Sequence, residues 1–407
     1  MSIMNKLTGR DIVIVGLQPW DTEIGSNCKN IALEFSKNNR VLYINSPLDR
    51  ITVIKDKKDP KVKKRLSIMK GEAPDLVQIN DWLWNFYPST ILESVNWLKN
   101  DKMFDIFNKR NNRKFASEIE RAIEVLGFED IILFNDNDIF RSFYLPDILK
   151  TDVSIYYSRD NLVSVDYWKH HGEKLEPQLI RKNNICVANS TYLADYCKKF
   201  NPNSFYVGQG CELDIFTDVD KKFIPAEIRN IEGPIVGYVG ALSSLRLDID
   251  ALIYIAQKRL DWNIVLVGPE DFNFLNSRLH EMKNVYFLGS KDPSELPSYV
   301  NSFDVCINPQ ILNDVTKGNY PRKIDEYLAA GKPVVATLTE AMSIFKDHVF
   351  LAEKKEDYIE LIANALKNDN PEKQLNRINF AKQHTWENSV GEIYRAINLS
   401  RAYACSA

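Results

Sequence analysis

Short apolar runs rich in valine and isoleucine recur along the chain, each followed by a polar or glycine turn and then a helical pattern. In the first half they cover residues 12–17, 40–45, 76–79, 130–134, 153–157 and 184–188, with 204–207 a further candidate. In the second half they cover 234–239, 263–267, 285–288, 305–308, 332–336 and 349–352. A run that is apolar throughout fits a strand covered on both faces, hence a parallel strand under helices. Strands alternating with helices imply right-handed βαβ units. The pattern occurs twice, and 407 residues exceed one ordinary core. The expected class is therefore α/β, with two Rossmann-like, doubly wound parallel sheets facing across a cleft. The polar stretch 213–232, which contains Pro225, marks the junction. It gives a first domain at 1–215 and a second at 230–385. In such sheets a ligand is expected at the carboxyl ends of the strands.

Composition narrows the function. With 52 basic and 55 acidic residues the net charge is −3, which argues against a general nucleic-acid binder. The six cysteines (Cys28, Cys186, Cys197, Cys211, Cys306, Cys405) form no C-x-x-C pair, so zinc-ribbon or thioredoxin-like chemistry is not expected. Several lie inside apolar runs, as small hydrophobes do in a reducing compartment. No stretch reaches the ~18 apolar residues of a membrane span, and no signal-like segment precedes the first strand. The expectation is a cytoplasmic protein, with one reason to look for a membrane surface. Arg50, Lys55, Lys57, Lys58, Lys61, Lys63, Lys64 and Arg65 face only Asp56 and Asp59 within residues 50–65. This excess is either a solvated loop or an attachment to an anionic leaflet or lipid phosphate. His170 and His171 are adjacent and lack an evident third ligand, so they read as surface polarity and no metal site is expected.

The most specific segment is GNYPRKIDEYLAAGKPVVAT, from Gly318 to Thr337. Pro321 suits the first turn of a helix, and Gly331 stops it before the next strand. Lys323 and Glu326 share one helix face. A cation in the first turn can neutralise a diphosphate, and a carboxylate one turn later can accept both hydroxyls of a ribose. Taken alone, the pair reads by default as a surface ion pair.

The segment resembles the C-terminal signature of GT-B glycosyltransferases, in particular glycosyltransferase family 4, whose helix ends in E-Y-L-A-x-G-K-P-V-V. The resemblance implies that Glu326 binds the ribose and Lys323 the diphosphate of a nucleotide sugar. It extends over most of the chain. Val236–Leu242 (VGYVGAL) is similar to the family's first strand and glycine turn in the nucleotide domain, which places Gly240 and Arg246 at the diphosphate. VGQGCELDIF at 207–216 resembles the linker P-N-G-V-D-x-x-x-F, with Gln209 and Cys211 as departures. HTWE at 384–387 resembles the opening of the family's returning helix, so the amphipathic element at 386–407 is expected to cross back to the first domain. Its residues Trp386, Val390, Ile393, Tyr394 and Ile397 fall at helical spacing.

In the first domain the loop from Gln18 to Asn27 joins strand to helix, and related enzymes use it near the reacting sugar. Gly25 and Ser26 are its candidate contacts. YYSRD at 156–160 resembles the Y-D-x-x-D of capsule and teichuronic-acid type enzymes, making Asp160 the candidate that orients or deprotonates the acceptor hydroxyl. Asp160 has a second reading, as N-cap of the next helix. Many family members carry another glutamate eight residues before the ribose-binding one; here Gly318 stands there, with Lys317 and Asn319 as the possible substitutes. The resemblance thus implies a transferase that uses a UDP- or GDP-linked sugar, needs no metal, retains anomeric configuration and acts on a lipid-linked or polysaccharide precursor. A GT-B epimerase and a partner subunit without catalysis are the competing readings. A dinucleotide oxidoreductase is disfavoured, because no G-x-G-x-x-G follows an initial strand.

Overall fold

The computed structural model describes residues 6–22, 26–217 and 223–406. The chain divides into two compact units, Met1–Gly208 with Trp386–Ala407, and Gln209–Thr385.

The strands of the first unit are β1 (Asp11–Gly16), β2 (Arg40–Asn45), β3 (Leu48–Asp49), β4 (Leu76–Asn80), β5 (Leu83–Phe86), β6 (Ile91–Leu92), β7 (Ile132–Asp136), β8 (Val153–Ser158), β9 (Ile185–Ala188) and β10 (Ser204–Tyr206). Eight of them form one sheet in the order β10-β9-β8-β7-β1-β2-β5-β4, while β3 and β6 pair separately. β1 lies between β2 and β7, parallel to both. The chain leaves β1 in one direction through β2 and returns on the other side at β7, so the order reverses between β1 and β7. Both faces of β1 are covered. Ile12 and Ile14 join one apolar cluster and Val13 and Val15 the other. This is why the run is apolar at every position and not at alternate ones.

The second unit holds β11 (Ile235–Val239), β12 (Asn263–Val267), β13 (Val285–Phe287), β14 (Val305–Asn308), β15 (Val334–Thr337) and β16 (Phe350–Ala352). Their order is β13-β12-β11-β14-β15-β16 and every pair is parallel. Here the order reverses between β11 and β14.

The final helix, Trp386–Ser406, packs on the first unit. Trp386, Val390, Ile393, Tyr394 and Ile397 join the cluster of Ile12, Ile14 and Phe35. The Tyr394 ring lies 5.6 Å from that of Phe35, and its hydroxyl accepts from Asn39 Nδ2 at 2.9 Å. Each buried side chain of this size contributes about 1.5–3 kcal/mol of transfer free energy.

Three features differ from the sequence reading. The run at 76–79 is not a parallel strand. β4 pairs antiparallel with β5, because the two residues between them are too few for a crossover. β5 itself was not legible, since Asn85 interrupts its apolar run; the buried Asn85 side chain is satisfied by Asn45 Nδ2 at 2.7 Å. The junction lies at Gly208/Gln209 and not within 213–232. Cys211, Leu213, Phe216 and Ile228 pack into the core of the second unit, so that polar stretch carries buried anchors.

Candidate functional site

The strand order of the second unit opens a crevice at the carboxyl ends of β11 and β14. Gly240 follows β11 with φ +136°, a conformation that L side chains rarely adopt. A Cβ there would stand 3.0 Å from Lys323 Nζ and 3.2 Å from the Tyr238 hydroxyl. Gly268, after β12, has φ +149°, and a Cβ would fall 2.0 Å from the Gly240 carbonyl oxygen. The two turns therefore touch through backbone, and both need glycine.

Lys323 opens the helix Lys323–Ala329, which follows β14 by way of Pro321. Its ammonium donates to the Tyr238 hydroxyl at 2.5 Å and lies 4.3 Å from that ring's centroid. It is thus held over the Gly240 turn by a neutral partner, with its charge uncompensated. Glu326 is half-buried on the same helix. Its carboxylate makes no hydrogen bond or ion pair among the described residues. Burial raises its carboxyl above the ordinary glutamate value, with Arg322 and then Lys323 pulling it back. Arg246 is exposed after the β11 turn, and its guanidinium has no partner among the described residues. Lys317 is exposed, Gly318 buried and Asn319 half-buried. The structure thus brings Gly240 and Lys323 together and leaves Glu326 and Arg246 uncommitted.

The helix of Lys323 and Glu326 is fixed from below. The fully buried carboxylate of Asp325 meets His384 Nδ1 at 2.5 Å, the Tyr320 hydroxyl at 2.8 Å and Cys211 Sγ at 3.4 Å. Cys211 N also donates to the His384 carbonyl at 3.0 Å. Sequence motifs pointed to both Cys211 and His384, but their meeting at Asp325 is a tertiary fact. Tyr238 likewise carried no signal beyond its place in a strand.

In the first unit, the crevice between β1 and β7 carries a different arrangement. Asp136, the last residue of β7, is fully buried and accepts from Leu17 N at 3.3 Å. Arg159 follows β8, and its Nε donates to Asp136 Oδ1 at 2.7 Å. Arg159 Nη1 donates to Asp160 Oδ2 at 2.5 Å. Burial opposes the Arg159 charge, but Asp136 and Asp160 outweigh it and raise its pKa. Asp160 is not an N-cap: the 3-10 helix Leu162–Ser164 that comes next starts from Asn161, and the α-helix Asp166–Lys182 from Val165. The Asp160 carbonyl accepts from Leu162 N at 2.9 Å and Asn137 Nδ2 at 3.0 Å. Ser26 is buried and caps the helix Asn27–Phe35, accepting from Lys29 N at 3.4 Å. Gly25 lies outside the described residues. Sequence reasoning missed Arg159 as the group that organises this edge.

The histidine pair needs correction. Asp101 joins it as a third potential ligand, the three groups lying within 4.8 Å of one another. His171 is no surface residue; it is buried, stacks on Phe104 at 3.7 Å and bonds the Leu98 carbonyl through Nε2 at 2.7 Å. Burial lowers its pKa below the usual histidine value. Asp101 is also paired with Lys174 at 2.5 Å. These contacts tie the start of helix Asp101–Leu126 to helix Asp166–Lys182, which accounts for the cluster structurally.

The basic segment is partly internal. Arg65 is buried and donates to the Ser46 carbonyl at 2.7 Å; Lys64 pairs with Asp21 at 3.0 Å; Arg50 pairs with Glu93 at 2.6 Å. Lys55, Lys57, Lys58, Lys61 and Lys63 remain exposed and make no ion pair among the described residues. Ile51 and Ile54 are exposed beside them. No helix among the described residues is long and apolar enough to cross a membrane.

Comparison with known proteins bears on both units. Residues 233–368 match the family of glycosyl transferases group 1. TuaH of Bacillus subtilis (strain 168), described provisionally as a teichuronic acid biosynthesis glycosyltransferase, is 27% identical over 257 residues. That stretch covers 60% of this chain and 64% of the relative's own length. Among solved structures, sucrose-phosphate synthase of Thermosynechococcus elongatus superposes with a TM-score of 0.65 at 14% identity, covering 98% of this chain and 100% of that one. Anabaena HepE, solved with UDP and glucose, gives 0.63 at 13% identity, covering 96% and 99%. The E. coli trehalose-6-phosphate protein bound with UDP-2-fluoro glucose gives 0.66 at 10% identity, with the same coverage. At these identities the structural likeness speaks for the fold alone.

Proposed function

We infer, from a chain of GT-B fold whose second unit matches the group 1 glycosyl transferases, that this protein is a nucleotide-sugar-dependent glycosyltransferase. The observation that carries the reading is the β11–β14 crevice. A lysine without a counter-ion stands over a glycine turn, and an unpaired carboxylate follows one helical turn later. Facing a diphosphate and a ribose, both charges find partners.

In this reading Gly240 lets backbone approach the diphosphate. Arg246 and Lys323 meet the charge that develops on it as the glycosidic bond breaks. Glu326 accepts the ribose hydroxyls. The donor is a UDP- or GDP-linked sugar. Asp160, oriented by Arg159, holds the acceptor hydroxyl in the first unit. The acceptor is a lipid-linked or polysaccharide precursor, consistent with the teichuronic-acid relative, and transfer proceeds with retention. Lys317 and Asn319 take the place of the glutamate that Gly318 replaces. The exposed lysines at 55, 57, 58, 61 and 63, with Ile51 and Ile54, suit a peripheral contact with the anionic inner face of the cytoplasmic membrane.

Thermal shift against UDP, GDP, ADP, CMP and dTDP tests the reading, with Glu326→Ala as control. One nucleotide should stabilise the protein, and the variant should abolish the shift. No shift with any of them would favour the partner subunit without catalysis. Liposome flotation with anionic lipid tests the membrane contact, which should weaken as salt rises.

A further inference from the structure

The first unit contains a cavity of about 450 Å³ that none of Ser26, Arg159 and Asp160 lines. It opens on the same edge of the sheet, among segments that follow β2, β6, β7 and β8. Its walls include Trp97, Tyr167, Trp168 and Phe140. Trp168 packs against Phe140 at 4.8 Å and edge-on to Tyr167 at 5.0 Å, which fixes the platform. Trp97 is 68% exposed and Tyr167 61% exposed. Trp97 is nonetheless anchored, since its indole donates to the Ser94 carbonyl at 2.7 Å.

The polar side of the cavity offers no free cation and keeps negative charge, since Asp49 and Asp166 line it with no cationic partner among the described residues. Arg141 is paired with Asp138 at 3.0 Å, Glu93 with Arg50 at 2.6 Å, and Asp49 accepts from Ser94 Oγ at 2.6 Å. Asn111 exchanges two hydrogen bonds with the Glu93 backbone, at 2.8 and 2.9 Å. Asn108 is different. It is 2% exposed and lines the cavity, yet its Nδ2 has no hydrogen-bond partner among the described residues. A buried amide left this way costs about 1–3 kcal/mol unless a ligand or water accepts from it.

We propose that this cavity binds an uncharged sugar ring of the glycan acceptor, away from the reacting hydroxyl. The proposal rests on the transferase reading for the word acceptor, and on the cavity alone for the sugar. Aromatic faces carry negative quadrupole charge and receive the C–H face of a pyranose. The Asn108 amide supplies a donor to a ring hydroxyl. A phosphate or carboxylate would find no uncommitted arginine or lysine among the lining residues. The acidic lining therefore turns away an anionic ring and leaves an uncharged one, held apart from the reacting hydroxyl. Acceptors of two or more sugars should be used better than single ones.

The test titrates the full-length protein with methyl glucoside, N,N′-diacetylchitobiose, cellobiose, glucuronic acid and glycerol phosphate. Tryptophan fluorescence and saturation-transfer NMR read the binding. A neutral disaccharide should bind, and Trp97→Ala and Asn108→Leu should each weaken it at least about tenfold, the loss expected for a stacking face or a buried hydrogen bond. The stabilisation by nucleotide should be unchanged in Trp97→Ala, whose exposed side chain can be removed without disturbing the fold. Binding of only the anionic probes, no binding of any neutral sugar, or neutral binding that survives both substitutions overturns the proposal. Neutral sugar binding together with no response to any nucleotide would keep the cavity as a sugar site and sink the transferase reading instead.

Discussion

Both sheets reverse their strand order once, and both place charged residues at that point, but the charges are used in opposite ways. In the second unit Lys323 and Glu326 lie one helical turn apart and make no ion pair among the described residues; the lysine leans on a tyrosine hydroxyl, and the carboxylate feels Arg322 and Lys323 only at a distance. In the first unit Arg159 is buried between Asp136 and Asp160 and bonds both. An uncommitted charge at a crevice has its full interaction to give to a ligand. A charge already paired in a buried network gives geometry, because breaking the pair costs more than a ligand contact returns. The second unit thus presents charge at its crevice, and the first holds a carboxylate in place.

The strongest way to break this comparison is to remove the free charges. Glu326→Ala and Lys323→Ala should each lower kcat/KM by about 10²–10³, the scale of a lost charge-assisted contact in a desolvated site, while the melting temperature stays within about 2 °C. Because burial raises the Glu326 carboxyl, nucleotide affinity should fall with acidification at a pH above the ordinary glutamate range. Retained turnover in both variants would show that the crevice is not the donor site.

The opposite outcome is expected at Arg159. Arg159→Met leaves two buried or half-buried carboxylates without their cation, a cost of about 3–5 kcal/mol, or roughly 10 °C in melting temperature for a unit of this size. A stable Arg159→Met protein with ordinary nucleotide shifts would mean that the network is not what organises the first unit's edge.

Glu176 sharpens the contrast between paired and unpaired burial within the first unit. It has hydroxyl partners, Tyr156 at 2.7 Å and Tyr196 at 3.3 Å, but no cation among the described residues. Burial pushes its carboxyl up from 4.5 to about 7. A raised pKa means that the unfolded state releases its proton first as pH rises. The Glu176 contribution is therefore full below about pH 4.5 and is lost by about pH 7. Glu176→Gln should remove that slope and gain up to about 3 kcal/mol relative to the parent at pH 8. Equal pH profiles for the two proteins would contradict the assignment.

The smallest effect belongs to the exposed lysines. Lys55→Gln, Lys57→Gln and Lys58→Gln should each change stability by less than about 0.5 kcal/mol, yet together reduce flotation with anionic vesicles. Unfolding on their removal would assign them to the fold with Lys64 and Arg65.

Much of this was legible in the chain. The strands of both sheets announce themselves as apolar runs, since a strand covered on both faces has no position for a polar residue. β5 escaped because Asn85 breaks its run, and it is tolerated only because Asn45 meets it from the neighbouring strand. Lys323 and Glu326 were legible as a pair because their spacing is local. The pairing of Asp136 with Arg159 spans 23 residues and that of Asp325 with His384 spans 59. No periodicity encodes such distances.

The sequence by itself therefore determined the parallel strands that make up most of the two sheets, the helix that carries Lys323 and Glu326, and the amphipathic face of the final helix. Each depends on residues within a few turns of one another. Only the tertiary structure decided which charges are free. It paired Arg159 with Asp136 and Asp160 and Lys64 with Asp21, buried Arg65, and left the side chains of Glu326 and Arg246 and the Asn108 Nδ2 without partners among the described residues. Whether a polar group is satisfied depends on what the chain brings to it from far away, and that is settled by packing.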